Sequence, residues 1–549
     1  MRRRLTISMT ALVTLGMIFV LTGAASESGV VSVDLLYTSD IHGHIGHGNA
    51  TFLNPNFPPP LGNAASATAY IRRVRQEAKE AGRPVFLFDS GDIFQGTPVG
   101  MHTKGTAIME WMNSVHYDAL AVGNHEFDLG WKNVRRLAKM TEFPVLAANL
   151  FDQKTGKRVD WAQDYIIVEK AGIKFGIVGY VTETTANMSF GKNVEGIEFK
   201  PIHELLPGHV KEMREKGADI VFVLMHAGLP YKPELEQEYA RMKKREAAGG
   251  LPHWGMNAME LANTVPGIDM IFAGHTHQGY DKPWEDPRNH TIVVEPYANG
   301  SSLGHLTLKI DRATKTVLGF DTHFARGALL TLFEEEVWPD KATADTVQKE
   351  VAVAEKGLDV EIGETLVNLE RGSANNALMG FVVADAYREE LDADFAIQNT
   401  GGVRANIPPG KITERDLLAV SPFGNQMVLI EMTGSMVKEI LEDKLRGRAG
   451  GIFFSGGKVR YDPTRPEGDR ITSFTKDGKP VDMNKVYKMA MTNYLAEGNS
   501  GLWRLRELPS EKILYTGFQD RQVLSNYIKR LKVLKPRNDG RWIKEKKSS

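Results

Sequence analysis

The chain has 549 residues, with 42% apolar and 25% charged residues, which is the composition of a soluble globular protein with room for two domains. Lys plus Arg (67) and Asp plus Glu (68) nearly cancel, so no net field draws the chain to a nucleic-acid polymer or a membrane surface. Cysteine is absent, which excludes a disulfide framework, a thiolate metal site and a Cys nucleophile, and leaves only N and O ligands for any metal.

Arg2, Arg3 and Arg4 precede an apolar run from Ile7 to Leu21 and the small residues Gly23, Ala24, Ala25 and Ser26. This is the pattern of a bacterial export signal, expected to span 1–26 and to be cleaved, rather than a membrane anchor. A periplasmic or secreted protein is therefore expected, with no stable membrane anchor after cleavage.

From there, apolar runs end repeatedly in polar clusters. Val33–Ser39 reads as a strand ending at Asp40, Ile41, His42, Gly43 and His44. A Pro- and Asn-rich loop over 54–60 leads to a helix with Tyr70, Ile71 and Val74 on one side. Pro84–Phe88 is a strand ending at Asp89, Ser90, Gly91 and Asp92, and a helix over 107–114 follows. Ala119–Val122 stops at Gly123, and Asn124, His125, Glu126, Phe127 and Asp128 come at once. Pro144–Asn149 and Lys174–Tyr180 read as further strands. Ala218–Met225 ends at His226, and Gly267–Ala273 ends at Gly274, His275, Thr276 and His277. Thr291–Pro296 and His305–Ile310 close this half.

Any one of these clusters reads as a turn or a helix N-cap, and a lone buried His as a core residue. Five strand ends with the same chemistry are a different matter, because ligand sites of layered α/β folds form beyond the carboxyl ends of strands. Asp40, His42, Asp92, Asn124, His226, His275 and His277 are too many ligands for one tetrahedral ion. They suit two divalent ions of the Zn, Mn or Co type sharing a bridging carboxylate, with Asp92, after a glycine, as the natural bridge. His125 and Asp128, at i and i+3, are then free to pair, the carboxylate orienting an imidazole toward a substrate phosphate. His44 is expected to be structural, and His253 has no assigned role.

A charged connector is expected over 327–357, helical near Ala342–Lys356, then a second domain over 358–534 and a basic, unstructured tail over 535–549. The second domain shows a helix over Asn375–Arg388, a strand over Asp394–Gln398 and the Gly-rich run Thr400–Arg404. Arg371, Asn399 and Arg404 could bind an anionic or polar ligand, while Phe423 and Tyr494 could stack on a planar base.

These motifs together resemble the calcineurin-like metallophosphoesterase signature. Gly123-Asn124-His125-Glu126-Phe127-Asp128, the export signal and the second domain narrow the resemblance to the bacterial 5'-nucleotidase/UDP-sugar hydrolase family, over nearly the whole mature chain. The resemblance implies an α/β fold with an N-terminal four-layer αββα sandwich over 30–326 and a C-terminal α/β nucleotidase domain. It implies one metal site of Asp40, His42, Asp92 and His277, and another of Asp92, Asn124, His226 and His275. His125 with Asp128 matches the family's dyad, and the segments at 399–404, 421–425 and 492–496 match its nucleotide-binding turns. It departs at Ser500, where the family's ribose-binding Asp is expected, and at Gly372, where a Glu is usual. The implied activity is hydrolysis of nucleoside 5'-monophosphates, with UDP-sugars or cyclic nucleotides as further substrates, the second domain swinging about the connector. The alternatives are a related metallohydrolase for another phospho- or sulfur-containing ester, and a catalytically silent nucleotide-binding protein.

Overall fold

The structure is a computed structural model that describes residues 29–54, 57–189, 191–230, 234–372, 377–445, 451–508, 512–536 and 538–545. The expected export signal lies outside the described residues.

The N-terminal unit is built on two stacked sheets. The first runs, by neighbour, Val317–Thr322, Ser302–Asp311, Val30–Thr38, Val85–Asp89, Ala119–Ala121 and Val145–Leu146, with Leu329–Thr331 beside Ser302–Asp311. The second runs Trp284–Glu285, Ile292–Val294, Met270–Ala273, Ile220–His226, Ile173–Val181 and Tyr165–Lys170. Val33, Leu35, Tyr37, Phe86 and Phe88 of the first meet Phe175, Phe222, Leu224 and Phe272 of the second in a dry inter-sheet core. Its rings sit mostly edge-to-face, as Phe88 and Phe272 do at 5.1 Å between centroids. Each outer face is covered by helices, among them Asn63–Glu80 on one side and Ile202–Glu215 on the other. Burial on both faces explains why these strands read as continuous apolar runs rather than alternating ones.

The strands that end in candidate ligands pair in parallel within each sheet, Val30–Thr38 with Val85–Asp89, and Ile220–His226 with Met270–Ala273. Their carboxyl ends therefore open on one edge of the sandwich.

The expected connector is not a free segment. Leu329–Thr331 is a strand of the first sheet, and the helix Lys341–Ala354, capped by Asp340 accepting from the Thr343 N–H, buries Val347 in the first unit's core. The C-terminal unit holds a five-stranded sheet, Ile452–Ser455, Phe395–Asn399, Val486–Thr492, Gln426–Thr433 and Ile513–Gln519, with Leu378–Glu390 and Asp520–Leu531 packed on it. The expectation of an unstructured tail is corrected. Trp542–Lys544 pairs in parallel with Lys458–Tyr461, and the nearly buried Arg541 is anchored on Asp385, so residues 541–544 are held by pairing and burial that their composition hides; residues 537 and 546–549 of the expected tail lie outside the described residues.

Candidate metal centre and substrate cavity

The candidate ligands are held by tight turns. Asp40, His42, Asp92, His275 and His277 all adopt positive φ, between 49° and 79°, a left-handed region unfavourable by about 1–2 kcal/mol for a residue with a Cβ. Neighbouring loops hold them there: the Asp40 N–H donates to Gly91 O at 2.8 Å and the His42 N–H to Asp92 O at 2.9 Å. Gly123 lets the third loop close, since a Cβ on it would sit 2.3 Å from Asp92 Oδ1.

The side chains converge in two groups that share Asp92. Asp40, His42, Asp92 and His277 form one, and Asp92, His226 and His275 the other, each with ligand atoms within 4.8 Å of one another. His42 Nε2 lies 3.0 Å from His277 Nε2, and His277 Nε2 lies 3.4 Å from Asp40 Oδ1. His226 Nε2 is 3.0 Å from Asp92 Oδ2 and 3.9 Å from Asp40 Oδ1. The far nitrogens are fixed by backbone: His42 Nδ1 by Gln95 O and His226 Nδ1 by Ser90 O, each at 2.7 Å. That arrangement holds each ring with Nε2 directed inward, as metal-ligating histidines require.

The donor set fits divalent cations. Asn124 Oδ1 is buried without a hydrogen-bond partner, an unfavourable state for a polar atom unless something else satisfies it. Two carboxylates, Asp40 and Asp92, are almost fully buried beside four imidazoles. Burial opposes their charge, but His277 and His226 outweigh it and hold Asp40 below the usual carboxylate range. Asp92 is likewise held low against burial by His226 and His125. Burial would also lower His226, yet the Asp92 carboxylate pushes it up to about 10. His275, buried and repelled by His226, falls to about 4, and burial likewise takes His42 well below its ordinary value.

Beside this cluster, His125 Nδ1 meets Asp128 Oδ2 at 2.8 Å, and the His125 N–H donates to Asp92 Oδ1 at 2.7 Å. Burial alone would lower this imidazole, but Asp128 and Asp92 push it up to about 9. Both residues line a cavity of about 840 Å³ between the two units. Asp92, Asn124, His275 and His277 form its floor, and all six residues expected to bind substrate, Arg371, Asn399, Arg404, Phe423, Tyr494 and Ser500, line it too. Asp40, His42 and His226 lie behind the floor, buried. Phe423 stacks on His125 at 5.9 Å between centroids with 20° between planes, and the Arg404 guanidinium sits 5.7 Å from the Phe423 ring centre. His44 lines the cavity and bonds the Ile41 carbonyl, whereas His253 lies apart, against Glu260 and the Trp254 carbonyl.

Two family profiles match the chain in succession, Calcineurin-like phosphoesterase over 34–279 and 5'-nucleotidase, C-terminal domain over 356–506. The chain belongs to the 5'-nucleotidase family of calcineurin-like phosphoesterases. It is 26% identical over 528 residues to a 5'-nucleotidase of Vibrio parahaemolyticus, covering 90% of this chain and 88% of that one. It is 27% identical over 560 residues to Protein UshA of Escherichia coli, covering 94% and 96%. In fold it is similar to a 5'-nucleotidase precursor of Thermus thermophilus, with a TM-score of 0.78 and 24% identity over 93% of this chain and 99% of that one. A sulfate thiohydrolase, SoxB, also of Thermus, shares the fold with a TM-score of 0.73 and 19% identity over 93% and 96% of the chains. The protein is thus a metal-dependent phosphoester hydrolase of nucleotide-acting type.

Several residues that shape this phosphoesterase centre escaped the sequence reading. Glu126 is buried and accepts the backbone N–H groups of Gly123, Asp92 and Ile93 at 2.6, 2.9 and 2.8 Å, tying two ligand loops together. Burial and the Asp92 charge push its carboxyl up to about 7. Asp89 does similar work, accepting from the Thr38 hydroxyl and the Gly91 N–H. A buried acid inside a ligand motif is the available signal for Glu126. Gln95 and Ser90 act through carbonyls, which every residue has, and leave no signal.

Proposed function

We propose that the protein is an exported phosphoesterase that hydrolyses nucleoside 5'-monophosphates with two divalent ions, of Zn, Mn or Co type. One site would comprise Asp40, His42, Asp92 and His277, the other Asp92, Asn124, His226 and His275. The observation that carries this reading is Asp92, common to both ligand groups, beside Asn124 Oδ1, a buried atom with no hydrogen-bond partner. When bound, such a pair of ions supplies Lewis-acid polarisation of the phosphoryl group and makes a water nucleophilic at neutral pH.

The chain's own residues do the rest. Asp128 accepts the His125 Nδ1–H and favours the imidazolium, whose Nε2–H is then free to donate to a phosphoryl oxygen as charge builds there. Arg371 and Arg404 bind the anion from the opposite wall, Asn399 donates to the nucleoside, and Phe423 and Tyr494 hold the base between their rings. Phe423 against His125 places this wall next to the dyad, so one substrate can span both. Ser500 faces the same cavity with a hydroxyl in place of a carboxylate.

That last feature supports a second reading, a different phospho- or sulfur-containing ester. Among the described lining residues, Asp92 and Asp128 are the only carboxylates, and both belong to the catalytic floor. Export of the chain is supported by Arg2–Arg4 and the apolar run after them.

The test is phosphate release from AMP by the metal-loaded mature protein, beside UDP-glucose, 2',3'-cyclic AMP and an aryl phosphate, with His125→Ala as control. AMP turnover lost in the variant supports the nucleotidase reading. Turnover of the aryl phosphate alone would keep the metal centre and overturn the nucleotide assignment.

A further inference from the structure

A second cluster of metal-type ligands lies away from the catalytic centre, on the helix-covered face of the first sheet. Asp34, in the strand Val30–Thr38, is fully buried among polar groups. Arg83 Nε donates to its Oδ2 at 3.0 Å, and Thr307 Oγ1 donates to its Oδ1. His305, on the neighbouring strand Ser302–Asp311, places Nε2 3.8 Å from Asp34 Oδ1. His323 follows the edge strand Val317–Thr322, and its Nε2 is 2.8 Å from Thr307 Oγ1. The three ligand atoms lie within 4.8 Å of one another.

Two features separate this cluster from an ordinary buried polar network. His305 is 4% exposed, yet its Nε2 has no hydrogen-bond partner. Its other nitrogen, Nδ1, is 2.8 Å from the Tyr70 hydroxyl, which can accept Nδ1–H and leave a bare Nε2 lone pair turned toward Asp34. Arg83 in turn engages Oδ2, while Oδ1 accepts from Thr307 and turns its remaining lone pair toward His305. The remaining side of the cluster reaches solvent through His323, which is exposed. A carboxylate and two imidazoles, without thiolate, select a zinc-type divalent ion, with solvent completing its coordination.

We propose that Asp34, His305 and His323 form a further divalent-cation site, structural in role, that ties the edge strand Val317–Thr322 to the strands beside it. None of the three lines the substrate cavity, and the proposal stands independently of the catalytic reading.

The test strips the full-length mature protein with chelator, reloads it with Zn²⁺, removes loose ions with a weak competitor, and counts ions per chain by mass spectrometry. The thermal midpoint is followed in parallel. His323→Ala should bind one ion fewer than the parent, lose part of the Zn²⁺-dependent rise in thermal midpoint, and keep the parent's rate on the aryl phosphate or AMP. Asp92→Ala, which removes the shared catalytic ligand, should still bind one ion that the double variant Asp92→Ala/His323→Ala does not. Equal ion counts in the parent and His323→Ala, or no ion on Asp92→Ala, would overturn the proposal.

Discussion

Replacing Asp128 with Asn tests whether the dyad works through charge. The side chains are each 21% exposed and meet at 2.8 Å, so the contact is a partly buried, charge-assisted hydrogen bond. Bonds of that kind contribute about 1.5–3 kcal/mol. At 1.36 kcal/mol per pH unit this is about 1–2 units on the imidazole, and about 10- to 150-fold in rate. Burial lowers His125, while Asp128 and Asp92 raise it to about 9. A raised imidazole keeps its proton through neutrality and loses it as pH climbs through that value. The stabilisation from the pair is therefore complete below its ordinary value and disappears on the alkaline side. Cations bound nearby draw the wild-type limb below 9 but leave the sign unchanged. Profiles of kcat/KM for phosphate release between about pH 6 and 10 should show the alkaline limb of Asp128→Asn about 1–2 units lower. A variant with the wild-type limb and rate would refute the charge argument. A slow variant with an unmoved limb would reduce Asp128 to a packing role.

Other outcomes follow from neighbouring contacts. Gly123→Ala puts a Cβ against Asp92 Oδ1 and the Asp92 N–H, so it should destabilise the fold by about 1–3 kcal/mol and lower metal content; unchanged metal content would contradict the close approach. His226, pushed up to about 10 in the metal-free protein, must give up its proton to ligate. Calorimetry of metal binding at pH 7 in buffers of different ionisation enthalpy should therefore report about one proton released, and His226→Ala should abolish it. Ser500 sits at φ +53°, a conformation that Asp tolerates, so Ser500→Asp should lower KM for AMP about tenfold, with no gain on an aryl phosphate. Equal gains on both substrates would detach Ser500 from the ribose. Phe423→Ala should raise KM for AMP by about 1–3 kcal/mol of lost stacking, measured against the same aryl phosphate.

The strands, and the convergence of the candidate ligands at their ends, were legible because burial on both faces leaves long apolar runs, and each run ended in a chemically distinct cluster. The boundaries were close: the expected strand 174–180 spans Ile173–Val181, and the helix expected over 107–114 spans Thr106–Ser114. Pro144–Asn149 was less regular, with only Val145–Leu146 in the sheet before the chain turns. The positive φ of Asp40, His42, Asp92, His275 and His277 could not be read, because those residues are chosen for ligation against their backbone preference. The role of Glu126 was equally hidden, since accepting three N–H groups is a property of how loops from two strands meet. The tail misled for a related reason: Lys and Arg dominate its composition, while Trp542 and Arg541 carry its packing. His305 and His323 were passed over because they lie in and after a sheet strand, and only the antiparallel pairing of Ser302–Asp311 with Val317–Thr322 brings them together, with ring centroids 3.8 Å apart.

Anomalous diffraction from crystals soaked in Mn²⁺ or Zn²⁺ shows whether two ions share Asp92. Two peaks are expected, one beside His42 and His277 and the other beside His226 and Asn124, with Asp92 next to both. A single peak at Asp92, or two peaks that do not share it, would rule out the proposed two-ion centre.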